Sequence, residues 1–258
     1  MNSRNTQHHL IVNTNSDKAQ KLIFIIGESA RASNMSLYNY ARNTCPILCK
    51  ISEDLTIFEN AVSPANITHA SLKYILTSAN IEATGEEHPQ FSLVNIANSA
   101  GFETFWLSNQ PYMDCTESAL ISRDAKHQKH FYNGSETRTP DGCMLPTIRS
   151  ALEQPGNAAL FVHLMGSHYR YEYRIEPEFE YYTSEFTYYG HPKYKQRIVD
   201  NYDNTIRYSD YVIGEIINMC GSRDESCIVC YVSDHGEVLL DDGKSFGHSL
   251  AEPVPQEF

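Results

Sequence analysis

Four short apolar runs punctuate the chain, at residues 21–26, 103–107, 159–164 and 228–232. Each is bounded by polar residues or glycine and is too short for a buried helix, so each predicts a strand covered on both faces. Between them the spacing changes. Residues 92–100, 145–152 and 198–219 carry apolar side chains at helical intervals, and 72–78 does so over a shorter stretch. The run 198–219 is long and rich in Asn and Asp, which predicts a break or bend within it. Strands alternating with helices imply an α/β domain, a parallel sheet with helices on both faces. Residues 169–194 keep neither period. They hold eight tyrosines with Arg170, Arg174, Pro177 and Pro192, and read as a long loop with short helical turns.

The expected domain is 21–258, preceded by a polar tail or linker at 1–20. No stretch reaches the length of apolar sequence that crosses a bilayer, and the polar tail is unlike a signal peptide. As it stands the chain reads as soluble. With 258 residues there is enough chain for one large core. The formal charge of −12 argues against a nucleic-acid partner and against loose docking on anionic lipid. A phosphate-bearing substrate would need local devices such as metal ions. Seven cysteines leave at least one unpaired within the chain. Cys45, Cys49, Cys115 and Cys143 lie in loop-like contexts that suit disulfides in an oxidising compartment. Cys227 and Cys230, inside a strand and on opposite faces, read as small buried hydrophobes.

Ligands of open parallel sheets bind beyond the carboxyl ends of the strands, so the residues that follow each predicted strand carry weight. They are Gly27-Glu28-Ser29, Ser108-Asn109-Gln110, Met165-Gly166-Ser167-His168 and Ser233-Asp234-His235-Gly236-Glu237. Three of the four ends offer a carboxylate or an imidazole. His248 lies thirteen positions beyond His235 in a loop that can return to the same edge. Oxygen and nitrogen donors without thiolate suit zinc, with manganese as the alternative. Glu28, Asp234 and His235 form the candidate metal set, with His168 and His248 for a second cation. A cation there would lower the pKa of a neighbouring hydroxyl. The hydroxyls in question are Ser29, Ser167, Ser233 and those of the loop 62–71, which includes Thr68. Thr68 precedes a helical run, where a simple N-cap role is the competing account.

These motifs together resemble the phosphoethanolamine transferases of Gram-negative envelopes, which share the alkaline phosphatase/sulfatase fold. The resemblance rests on Ile25-Ile26-Gly27-Glu28-Ser29-Ala30-Arg31 with the following Met35–Pro46 stretch, and on Thr68 forty positions after Glu28. It continues through Phe105-Trp106-Leu107-Ser108-Asn109-Gln110, Val162-His163-Leu164-Met165-Gly166-Ser167-His168 with Tyr171 and Arg174, Asn201-Tyr202-Asp203-Asn204, Val232-Ser233-Asp234-His235-Gly236-Glu237 and Phe246-Gly247-His248. It implies a three-layer α/β/α sandwich with a mostly parallel central sheet, and a catalytic zinc held by Glu28, Thr68, Asp234 and His235. It implies Thr68 as nucleophile, a phosphorylated threonine intermediate, His168 and His248 at a second metal or the phosphoryl group, and Asn109 on substrate. Phosphatidylethanolamine would be the donor and lipopolysaccharide, at a core heptose or lipid A, the acceptor. The family works at the periplasmic face of the inner membrane, and its transmembrane helices, like its final sheet element, would lie outside this chain. A phosphoglycerol transferase or related phosphoesterase on the same fold is the nearest alternative, and a truncated inactive binding domain the other. A sulfatase would need Cys or Ser in a C/S-x-P-x-R context, which Thr68-His69-Ala70-Ser71-Leu72 does not offer.

Overall fold

The computed structural model describes residues 19–248 apart from 82–90, 113, 115, 135–137 and 223–224. The polar tail up to residue 18, the segment after His248 and Cys115 lie outside the described residues. Five parallel strands form the central sheet: β1 (Gln20–Gly27), β2 (Glu103–Ser108), β3 (His127–His130), β4 (Ala158–His163) and β5 (Ser226–Ser233), in the order β3-β2-β4-β1-β5. Two short strands, β6 (Val238–Leu239) and β7 (Phe246–Gly247), pair antiparallel just past the carboxyl edge. β4 is buried along its whole length, as expected of an inner parallel strand.

Each sheet face has its own apolar core. On one side α1 (Pro46–Lys50), α5 (Leu145–Leu152) and the long α6 (Tyr194–Gly221) pack with Ile23, Ile25, Leu160 and Val162. On the other, α2 (Thr68–Leu76), α3 (Leu93–Ser99) and α4 (Glu117–Ser122) enclose Ile26, Trp106, Ala159 and Phe161. This is the three-layer sandwich expected from the alternation of periods. Among the described residues no helix is long and apolar enough to cross a membrane.

α6 is one unbroken helix of 28 residues, contrary to the expected break. Its polar residues are buried but partnered. Asp200 and Asp203 bind Arg42 at 2.6 Å each, Asn34 donates to Asp203, and Asp210 accepts the backbone N–H groups of Ile47 and Leu48. Partnered in this way, they cost the helix little. Gly214 lets α1 close in, since a Cβ there would lie 2.6 Å from Ile47 Cγ2. The tyrosine-rich excursion contains two short 3₁₀ turns, Tyr171–Tyr173 and Pro177–Phe179, as its composition suggested. The cysteine reading needs correcting. Cys227 is bridged to Cys220, tying the end of α6 to β5, and Cys230 is exposed because β5 is an edge strand. Cys45, Cys49 and Cys143 are free thiols.

Candidate active site

The carboxyl ends of β1 and β5 are adjacent, with Gly27 opposite Ser233. The next residue on each strand is therefore brought to the same place: Glu28 from β1, Asp234 and His235 from β5. All three are essentially fully buried. Ser29 takes a left-handed conformation (φ 55°), and its hydroxyl donates to Glu28 Oε1 at 2.7 Å while its N–H donates to Asp234 Oδ1 at 3.0 Å. One strained residue thus orients two carboxylates. Tyr202 holds the turn, its hydroxyl donating to Ser29 O and accepting from Arg31 N. Gly236 has no left-handed backbone; it serves through its carbonyl, which accepts from His235 Nδ1 at 2.7 Å.

That last bond fixes the imidazole chemistry. A carbonyl only accepts, so Nδ1 carries a proton, and in the neutral ring Nε2 presents its lone pair. Nε2 lies 3.5 Å from Glu28 Oε1 and 3.5 Å from Asp234 Oδ2. Asp234 Oδ2 is buried without a hydrogen-bond partner. Two carboxylate oxygens and a nitrogen lone pair facing one another need a cation to be stable. Burial pushes the Glu28 pKa up, and burial followed by the charge of Glu28 pushes Asp234 up to about 7. Donor atoms of Glu28, His235 and His248 lie within 4.8 Å of one another, the metal-competent group among the described residues. The donor set and the orphaned oxygen fit zinc.

Thr68 is the first residue of α2 and is only half-buried. Ile67 occupies the N-cap position, so the competing capping role does not describe the Thr68 side chain. Its hydroxyl donates to Glu28 Oε2 at 3.0 Å and sits 3.4 Å from His235 Nε2. The other candidate hydroxyls are engaged elsewhere. Ser167 accepts from Thr205, Ser233 donates to His235 O, and the single Ser63 O–H lies between the carbonyls of Ala65 and Asp234.

His248 returns to the edge just past β7 and lies against His235, the rings tilted at 45° with centroids 4.4 Å apart. Its Nδ1 pairs with Glu237 Oε2 at 2.9 Å, and Glu237 Oε1 accepts from the Tyr171 hydroxyl at 2.7 Å. Burial works against charge on His248, but the bond and charge of Glu237 override it, leaving its pKa raised. His168 stands one ring further out, 6.0 Å from His248. Burial and then Arg174 lower its pKa. Asn109 lies beneath the site, fully buried, donating to Thr139 O and to Asp141 Oδ1. Asp141 in turn accepts the N–H groups of Met165 and Gly166, fixing the loop under Glu28. Gly166 is required there, because a Cβ would come within 2.8 Å of Glu28 O.

Sequence reasoning offered Ser29 only as one of several candidate nucleophilic hydroxyls, and assigned no role to Glu237, Tyr171, Asp141 or Gln110, whose amide donates to Glu28 Oε2 at 3.0 Å. Glu237 and Gln110 stood within the quoted strand-end motifs, and that adjacency was the available signal. Tyr171 was likewise quoted beside the His168 motif, whereas Asp141 reaches the site from a segment with no local pattern to mark it.

Residues 20–252 match the sequence profile of the sulfatase family. The phosphoethanolamine transferase EptC of Escherichia coli (strain K12) is 31% identical over 236 residues, which is 87% of this chain and 41% of that protein. The phosphoethanolamine transferase CptA of Salmonella typhimurium (strain LT2) is 30% identical over 241 residues, again 87% and 41%. The C-terminal periplasmic domain of EptC from Escherichia coli, crystallised in complex with Zn, superposes with a TM-score of 0.83 at 27% identity, covering 94% of this chain and 71% of that one. The chain spans about two fifths of the length of these full-length relatives.

Proposed function

Because the chain belongs to the sulfatase family, we propose that it transfers phosphoethanolamine from phosphatidylethanolamine to lipopolysaccharide, at a core heptose or lipid A, through a covalent phosphothreonine on Thr68. The observation that carries this reading is the convergence of Thr68 Oγ1 on Glu28 Oε2 and His235 Nε2 at the mouth of a buried donor set. The relatives' activity and the zinc in the similar periplasmic domain support it.

Glu28, Asp234 and His235, with the Thr68 oxygen, would hold a zinc ion, and His248 lies against them. Zinc bound there supplies Lewis-acid charge that makes a hydroxyl nucleophilic at neutral pH and offsets phosphoryl charge. Thr68 attacks phosphorus from the N-terminus of α2, where free backbone N–H groups suit an anionic group. The bond from Thr68 Oγ1 to phosphorus forms as the bond to the diacylglycerol oxygen breaks, and the threonine proton leaves on the diacylglycerol. In the second displacement an acceptor hydroxyl or phosphate oxygen attacks the same phosphorus and Thr68 is regenerated, a ping-pong sequence. His248, held by Glu237, and His168 would donate to the phosphoryl oxygens.

Intact-mass measurement after incubation with zinc and phosphatidylethanolamine tests the proposal. The native protein is expected to gain one phosphoethanolamine and Thr68→Ala none. An unchanged mass in zinc-loaded native protein, or a gain that survives Thr68→Ala, would refute the covalent role of Thr68.

A further inference from the structure

Gln110 is the second residue past the end of β2, and in the sheet order β4 stands between β2 and β1. Its side chain crosses that gap. Nε2 donates to Leu164 O, just past the end of β4, at 2.9 Å, and to Glu28 Oε2, just past the end of β1, at 3.0 Å. A carbonyl and a carboxylate oxygen are both acceptors, so the amide nitrogen must face them and the orientation of the group is set by chemistry. A primary amide has two N–H donors, and these two bonds use both. Gln110 therefore keeps no N–H for a substrate. What it does reach is the carboxylate that heads the candidate metal set.

Glu28 is gripped from two sides. Ser29 Oγ donates to Oε1 at 2.7 Å, and Gln110 donates to Oε2 alongside Thr68. Were Thr68 Oγ1 to move onto a cation, Ser29 and Gln110 would remain as the two donors that stop the carboxylate from rotating. A neutral amide suits this task better than a lysine or arginine. It directs the carboxylate without bringing a positive charge that would compete with the metal. We propose that Gln110 is a positioning residue that sets the orientation of Glu28 for metal binding. The inference rests on the reading of Glu28 as a zinc ligand.

The test is zinc affinity, measured by chelator competition on the full protein, for the native form, Gln110→Met and Gln110→Asn. Methionine keeps the length without the donors, and asparagine keeps the amide but falls one methylene short. Both variants are expected to bind zinc roughly 10- to 100-fold more weakly. The cobalt(II)-loaded proteins should show a visible absorption band displaced from the native one, while melting in excess chelator stays native-like. Asparagine keeps the test readable should methionine disturb the packing. Native-like zinc affinity and cobalt spectrum in both variants would overturn the inference. A raised KM for phosphatidylethanolamine would then make Gln110 a substrate contact, and a lowered metal-free melting temperature a structural brace. A native protein that binds no zinc would instead overturn the metal reading on which the inference stands.

Discussion

The site joins two regions built on opposite plans. Its inner shelf, Glu28, Asp234 and His235, hangs from the ends of two adjacent parallel strands and is at most 1% exposed. Its outer flank is the excursion from Tyr169 to Tyr194, where Phe186, Tyr188 and Tyr189 are 83%, 68% and 74% exposed. The shelf is held from behind by backbone groups and a buried serine, with Asp234 Oδ2 left unpartnered and facing the site. The flank is tied down at intervals, as where Arg174 donates to the carbonyls of His168 and Tyr169 and Arg42 stacks 3.8 Å from the Tyr182 ring. Groups that must be held to a fraction of an ångström sit on strand ends, and the surface that meets solvent is left to a loop.

Substitutions on the two regions should therefore differ in kind. The largest effect is expected at Asp234. Its pKa is raised to about 7 by burial and the Glu28 charge, whereas an aspartate in an unfolded chain titrates near ~3.9. The stability linked to its proton is full below that lower value and is lost as pH rises towards 7. In excess chelator, Asp234→Asn should stabilise the protein by about 4 kcal/mol at pH 8 and by only about 0.5 kcal/mol at pH 4. Denaturant unfolding at the two pH values would show this, and an equal difference at both would contradict it. A smaller effect is expected between shelf and flank. Glu237→Gln breaks the matched pair with His248 Nδ1 and Tyr171 and should weaken zinc binding by roughly tenfold, about 1.4 kcal/mol. Calorimetric titration would register it, and an unchanged affinity would remove Glu237 from the metal site. The smallest is on the flank itself. Tyr188→Ser should move the unfolding free energy by less than about 0.5 kcal/mol, and a loss of several times that would show the excursion to be part of the core.

The shelf was legible from sequence because it obeys a general rule: short apolar runs end where an open parallel sheet binds its ligands. Glu28, Asp234 and His235 each follow such a run, and the structure brings them together. Strand β3 was not legible. His127, Gln128, Lys129 and His130 are all exposed, so an edge strand with no apolar face left no periodic trace. The continuity of α6 was hidden for the opposite reason. Its interior polar residues are matched by Arg42, Asn34 and the N-terminus of α1, more than 150 positions away. The bridge from Cys220 to Cys227 was missed because the strand was read as buried on both faces, and β5 lies at the sheet edge. The supports of the shelf, Asp141 and Tyr171, come from loops that only the finished fold brings near.

The strand order also constrains how the molecule comes into being. β1 is the first strand in the chain, yet its neighbours are β4 and β5, so its pairs span residues 21 to 158 and 20 to 226. A nascent chain delivered from its N-terminus must hold this inner strand unpaired until most of the sequence has arrived. Such non-local pairing makes for slow folding and a long exposure of apolar strand to wrong partners. Glu28 and Asp234 meet only when that last pairing closes, so the power to retain a metal ion would mark a molecule that has finished folding.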